Sequence, residues 1–264
     1  MRLFTVAALA YGDHPELISR CLDSFENLSG WEMVQEIRLG GNELSRRSRE
    51  AIEARADLLC DKATTVLYTA EQHGRKYPMM RRMFFDARWP IRTPYVVWLD
   101  DDSYFTGRQP YIFHDLMDLM SRGHVAVGVY SRTHLRDGQD RWIARQPWAV
   151  KPVTPNQLVH FVPGGFWCAE FEFLRRHDYP FPEIRSQGGD YMLGMLAWQQ
   201  DRSIADYRLG VAVNADESGK NGSSKRRGRH GEVLAQDYDG SPIDLSHQNM
   251  KVMRTIWPKK TSSS

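Results

Sequence analysis

Tyr95-Val96-Val97-Trp98-Leu99-Asp100-Asp101-Asp102 sets five β-prone residues directly before three carboxylates. The apolar run has the length and composition of a buried strand. Three like charges at its end repel one another unless something positive sits among them. A divalent cation bridging a diphosphate is the usual resident of such a cluster, because hard cations prefer carboxylate and phosphate oxygens. An acidic turn that caps the next helix is the competing explanation, since aspartate is common in turns. Three aspartates after so hydrophobic a strand favour the cation reading and, with it, transfer chemistry on a nucleotide.

Working outward, strand and helix patterns alternate through the first half of the chain. Leu3 to Ala10 reads as a strand, and Asp13 and Glu16 have capping-box spacing before a helix with Pro15 in its first turn. Val34 to Leu39 is a second strand closed by Gly40-Gly41, and Asn42 to Leu59 a charged amphipathic helix. Thr64 to Tyr68 is a third strand, followed by a Met-rich helix that Pro90 ends. Such alternation predicts a largely parallel sheet covered by helices, with ligands gathering at the carboxyl ends of the strands. The aspartates lie at such an end. The second half predicts a helix over Gln109 to Met120, a strand over His124 to Tyr130 and an irregular surface segment from Ser131 to Asn156. Leu158 to Val162 is a strand, Glu170 to Arg176 a short helix, and Asp190 to Gln200 an apolar helix behind Gly188-Gly189.

The 264 residues suit one large domain or two small ones. A net charge of +2 does not demand a polyanionic partner, although Lys225-Arg226-Arg227-Gly228-Arg229-His230 is locally basic. Cys21, Cys60 and Cys168 are scattered and odd in number, as expected of reduced, buried thiols in the cytoplasm. Leu3 to Ala10 is followed at once by helix-start chemistry, so it reads as a strand and not as a signal segment. No apolar stretch has the length of a membrane span.

The order of these features over roughly residues 3 to 210 resembles the glycosyltransferase family 2 members of the GT-A fold. The resemblance is carried by the opening strand with Tyr11, by Gln72-His73-Gly74-Arg75 and its helix, and by Trp98-Leu99-Asp100-Asp101-Asp102. Gly164-Gly165-Phe166 and Gly189-Asp190 at a helix start complete it. It implies an α/β, Rossmann-like nucleotide-diphospho-sugar transferase fold, with a mostly parallel central sheet flanked by helices. It also implies transfer of one sugar from a nucleotide-diphosphate sugar, a UDP-sugar first, to an acceptor hydroxyl with the help of Mn²⁺ or Mg²⁺. A catalytic domain over 1–213 divides into a nucleotide-binding half, 1–105, and an acceptor-side half, 106–213. Residues 214–264 are expected to form a mobile basic loop and C-terminal tail.

On this reading Asp102 is the direct metal ligand, Asp100 meets the ribose or the metal's water shell, and His230 supplies a third metal ligand. The donor-facing set is Ala10, Tyr11, Asn42, Gly74, Arg75, Asp100, Asp101, Gly164 and Gly165. Asp190 is the expected base for the acceptor hydroxyl, and direct displacement by that hydroxyl inverts the anomeric carbon. The same aspartate would also serve as a helix cap. Arg75, Lys76, Arg81 and Arg82 are candidates for phosphate contacts. The chain departs from the family in three places. Gly40-Gly41-Asn42-Glu43 stands where an acidic pair often contacts the nucleobase. Met79 and Met80 replace the usual arginine and asparagine, and the Gln-x-x-Arg-Trp signature of processive enzymes is absent. A saccharide or lipid-linked saccharide is the family's default acceptor. Hydroxymethylated bases of DNA are an alternative, with Trp142 and Trp148 as stacking surfaces. Nucleotidyl transfer and non-catalytic binding of a sugar nucleotide or nucleic acid are readings of another class.

Overall fold

The computed structural model describes residues 2–71, 75–136, 138–184, 188–215 and 251–261. The first half runs β1 (Phe4–Tyr11), α1 (Pro15–Asp23), β2 (Val34–Asn42), α2 (Arg46–Leu59), β3 (Thr64–Ala70), α3 (Lys76–Phe84) and β4 (Tyr95–Asp100). Then come β5 (Tyr104–Phe105), α4 (Ile112–Ser121), β6 (Ala126–Gly128), β7 (Ser131–His134) and α5 (Gln139–Ala144). The remainder is β8 (Leu158–Phe161), β9 (Phe166–Glu170), α6 (Phe171–Arg176), α7 (Gly189–Gln199), β10 (Ile204–Asp206), β11 (Val211–Ala212) and β12 (Met253–Trp257).

Eight strands form one sheet in the order β10-β6-β9-β4-β1-β2-β3-β12. β1 is parallel to β2 and to β4, β2 to β3, and β6 to β10. The alternation of side chains along β4 shows why this sheet is buried on both faces. Val96 and Trp98 enter one hydrophobic cluster, while Val97 and Leu99 enter the cluster on the opposite face. Parallel register aligns Leu9 of β1 with Asp100 of β4, and Tyr11 with Asn42 of β2. The candidate residues at these strand ends therefore share one edge of the sheet.

Several elements differ from the sequence expectation. The helix start at Asp13 lacks a capping box: His14 is the cap residue without a side-chain cap bond, and Asp13 accepts instead from Ser45 Oγ at 2.6 Å. Ser45, in turn, accepts from Ser48 N and caps α2. Between Ser131 and Asn156, expected to be irregular, lie β7 and α5. β7 has no apolar alternation to reveal it, and it is held by antiparallel pairing with β8. β9 was missed as a strand because it follows directly on Pro163-Gly164-Gly165. It runs antiparallel between β4 and β6, and it sets Trp167 opposite Trp98, whose rings stack at 6.1 Å. In the C-terminal segment, β12 pairs antiparallel with β3 and extends the main sheet.

Helix α7 lies against β8, and Gly194 makes that approach. A Cβ there would stand 2.0 Å from the His160 carbonyl oxygen and 2.8 Å from Phe161 Cβ. Alanine gains about 1 kcal/mol in helix propensity. Overpacking costs about 1–3 kcal/mol, and contact with a backbone carbonyl cannot be relieved by side-chain rotation. The clash wins, so Gly194→Ala is expected to lower the melting temperature. An unchanged or higher melting temperature would contradict this packing of α7 on β8.

Candidate active site

The carboxyl ends of β1 and β4 are tied to one another through the acidic triplet. Asp101 N donates to Leu9 O at 3.1 Å, and Asp101 Oδ2 accepts from Tyr11 N at 3.2 Å. Asn42, fully buried, donates through Nδ2 to the Arg75 carbonyl at 3.2 Å. Arg75 holds a φ of 62°, in the left-handed region that non-glycine residues seldom enter. That kink directly precedes α3 and its first residue, Lys76. Ala10 is buried in the sheet opposite Gly41.

Lys76 joins the two halves of the molecule. Its Nζ donates to Asp100 Oδ2 at 2.6 Å and to the Gly164 carbonyl at 2.9 Å. A Cβ on residue 164 would lie 2.7 Å from Lys76 Nζ, so a residue without a side chain is what lets the ammonium reach that loop. Asp100 Oδ1 accepts from Trp98 Nε1 at 3.0 Å, and Asp100 N donates to Gly165 O at 2.9 Å. Burial raises the Asp100 carboxyl above the ordinary carboxylate range. Lys76 opposes the shift and Asp102 adds to it.

Asp190 reaches the same place from α7. Its Oδ2 accepts from Gly164 N at 3.1 Å and its Oδ1 from Tyr191 N at 3.0 Å, while its own N–H donates to Tyr77 Oη at 3.1 Å. Only the Tyr191 contact is a helix-end bond. The Gly164 contact crosses to another loop and fixes the carboxylate's direction. Burial raises the Asp190 carboxyl, with Lys76 and the backbone N–H groups working the other way.

Asp100, Lys76, Gly164, Gly165 and Asp190 line one cleft of about 560 Å³. Another part of the wall comes from β7 and the residues after it: Ser131, Thr133, His134 and Arg136. Sequence reasoning missed this wall, since a polar strand carries no hydrophobic period. It had named Lys76 only among four basic candidates of one segment. Arg81 turns away from the cleft and bonds Asp178 and the Pro180 carbonyl. Arg81 and Arg82 instead line a separate cavity of about 710 Å³ with Tyr68 and Phe85. Trp142 and Trp148, considered as stacking surfaces, are buried at 6% and 5% exposure, and Trp148 stacks on Phe181 at 5.0 Å. The three cysteines are buried thiols. Gly74, His230 and the basic segment around it lie outside the described residues.

Among the described residues no three His, Cys, Asp or Glu side chains form a metal cluster. Magnesium-type sites do not require one, because such ions take one or two carboxylates and complete their shell with phosphate oxygens and water. Asp102, buried at 8% exposure beside Asp100 and Asp101, suits a cation shared with a diphosphate. Asp100 is committed to Lys76 and Trp98, so a cation on Asp100 would have to displace the ammonium.

The eight-stranded sheet flanked by helices is a GT-A-like fold. Comparison with solved structures gives the same fold. Staphylococcus aureus TarS is similar with a TM-score of 0.52 at 13% identity, over 79% of this chain and 35% of that one. TarS 1–349 in complex with UDP is similar with a TM-score of 0.51 at 12% identity, over 78% and 58%. A mannosyltransferase, PcManGT from Pyrobaculum calidifontis in complex with GDP-Man and Mn²⁺, has a TM-score of 0.47 at 14% identity, over 67% and 47%. The chain thus spans less than two thirds of each of these structures. No protein-family model and no curated protein sequence matches it. Among the described residues no helix is long and apolar enough to cross a membrane.

Proposed function

We propose that this chain is a sugar-nucleotide-dependent glycosyltransferase that moves one sugar to an acceptor hydroxyl with inversion. The observation that carries the reading is the meeting of Asp100, Lys76 and Asp190 in one cleft, from three elements distant in sequence. The nucleoside is assigned to the β1–β2 edge beside Tyr11, with buried Asn42 acting from behind by holding the Arg75 carbonyl. UDP, the ligand in the TarS complex, is the first donor to test. The diphosphate then lies at the acidic strand end and the sugar against Gly164-Gly165. Asp102 would hold Mn²⁺ or Mg²⁺, which supplies a Lewis acid for the charge that grows on the departing diphosphate. Lys76 contributes a fixed ammonium at the same end of the cleft. Asp190 accepts the acceptor's proton as the hydroxyl attacks. The two N–H bonds to its oxygens keep it aimed into the cleft while leaving lone pairs for that proton. A saccharide or lipid-linked saccharide is the acceptor class.

The test is nucleotide release from UDP- and GDP-sugars with Mn²⁺, with and without candidate acceptors. Slow release without acceptor and faster release with one is the expected result. Absence of both release and thermal stabilisation across the donor panel would reject the proposal. The same assay carries a pH prediction. Asp190 works as an anion, and its carboxyl is raised above the ordinary value of about 3.9. Lowering the pH through the raised value protonates the base, so kcat/KM should fall on an acid limb above the usual carboxylate range. A profile flat down to about pH 4 would contradict Asp190 as the base.

A further inference from the structure

We infer that Tyr77 is a positioning residue for the base: its hydroxyl, together with that of Tyr179, holds the Gly189–Asp190 peptide and so sets the direction of the Asp190 carboxylate. This rests on the glycosyl-transfer reading of the cleft and adds to it residues that act through Asp190. Tyr77 is buried at 2% exposure and Tyr179 completely.

The first turn of α7 is not capped from its own chain end. Its cap residue, Gly188, has a φ of 83° and, as glycine, no side chain to offer the helix N–H groups. Two phenols from elsewhere meet the backbone there. Tyr77, the second residue of α3, accepts from Asp190 N–H at 3.1 Å. Tyr179 Oη donates to the Gly189 carbonyl at 3.0 Å. That carbonyl and that N–H belong to the same peptide unit. A peptide is planar, so bonds at both of its polar ends fix the plane. The plane ends at the Asp190 Cα, from which the carboxylate projects to Gly164 N at 3.1 Å.

A buried tyrosine usually finds some partner for its hydroxyl, so one such bond would say little. What points to a role is the convergence of both on the one peptide that leads into the base. Residue 189 fits that role: a Cβ there would stand 2.3 Å from Cε1 and Cζ of Tyr77 and 2.7 Å from its Oη, so glycine is what admits the phenol. Burial and the Asp190 carboxylate both raise the Tyr179 phenol, which keeps its proton and stays a donor. The place of Tyr77 on α3 ties this clamp to the rest of the site. Its neighbour Lys76 donates to the Gly164 carbonyl, and Gly164 N donates to Asp190. Consecutive residues at the start of one helix thus hold both sides of the Gly164–Asp190 contact.

Tyr77→Phe removes the accepting oxygen and keeps the ring. Acceptor-dependent kcat should fall about 10–100-fold, the cost of a slightly misplaced catalytic group, while affinity for UDP stays at the wild-type value. Tyr179→Phe should lower kcat in the same sense. In an Asp190→Asn background neither change should reduce turnover further, because the group they aim is gone. Amide hydrogen exchange at Gly164 reads the geometry without turnover. It should quicken about fivefold in Tyr77→Phe, as the carboxylate leaves that N–H. Wild-type turnover in both tyrosine variants, unaltered exchange at Gly164, or a further loss on top of Asp190→Asn would each overturn the inference. Faster Gly164 exchange in Tyr77→Phe, with no nucleotide release by the wild-type protein, would sink the transferase reading while leaving the tyrosine clamp on Asp190 in place.

Discussion

Asp190→Asn is expected to lower acceptor-dependent nucleotide release by about 10²–10⁴-fold, the range that a positioned general base contributes. Donor affinity should stay near wild type, because the donor is assigned to the β1–β2 edge beside Tyr11 and to the acidic strand end. The substitution separates the two readings of this aspartate. Asparagine is as good a helix-end acceptor as aspartate, so a purely capping role would survive the change with little loss. Its amide has one acceptor oxygen where the carboxylate has two. Either the Gly164 or the Tyr191 N–H loses its partner, at about 1 kcal/mol for a neutral bond and somewhat more for a charged one. That cost bounds the drop in stability. A fall in turnover with a nearly intact melting curve and donor affinity identifies the missing charge as the cause. The acid limb of the pH profile should vanish with it. Near-wild-type turnover would leave Asp190 as a structural residue alone.

How much of this was legible in the sequence depended on which physical signal each part emits. β1 and β4 announce themselves because strands buried on both faces are continuous apolar runs, and Asp100 because charge at the end of an apolar strand is costly without a reason; Asp190 reads equally as a helix cap, and the family resemblance is what singles it out. Both aspartates were placed in one cleft, together with Gly164 and Gly165. The β7 wall emitted no such signal, since Ser131-Arg132-Thr133-His134 is polar on both faces and is made a strand by its partner β8. β12 is separated in sequence from β3, so only the folded chain shows the pairing. Trp142 and Trp148 misled for a simpler reason. Tryptophan among arginines reads the same whether it faces solvent or a core, and here Phe181 covers it. Lys76 is a related case. A lysine in a basic segment reads as solvated until the sheet brings a buried carboxylate to it.

Lys76→Met is expected to destabilise the fold strongly, and Lys76→Met/Asp100→Asn to recover most of the loss. The ion pair is 2.6 Å long, with only 14% and 18% of the two side chains exposed. Removing one partner of a buried pair costs about 3–5 kcal/mol, because the remaining charge keeps its desolvation penalty and loses its compensation. Partial exposure makes that range an upper bound. For a chain of this size each kcal/mol corresponds to about 2–4 °C, so the single variant should melt lower by at most roughly 6–20 °C. Without the ammonium, burial and Asp102 both raise the Asp100 carboxyl, and the lysine's opposing effect is gone. The single variant should therefore regain stability as the pH falls and Asp100 takes a proton. The double variant, with no charge at either position, should show no such recovery. Melting curves of wild type, both single variants and the double variant across pH give the coupling directly. Additive losses with no pH dependence would mean that the two side chains do not depend on one another. The role of Lys76 as the cation holding β4 to the Gly164 loop would then fall, and with it the fixed charge that the proposed mechanism places beside the departing diphosphate.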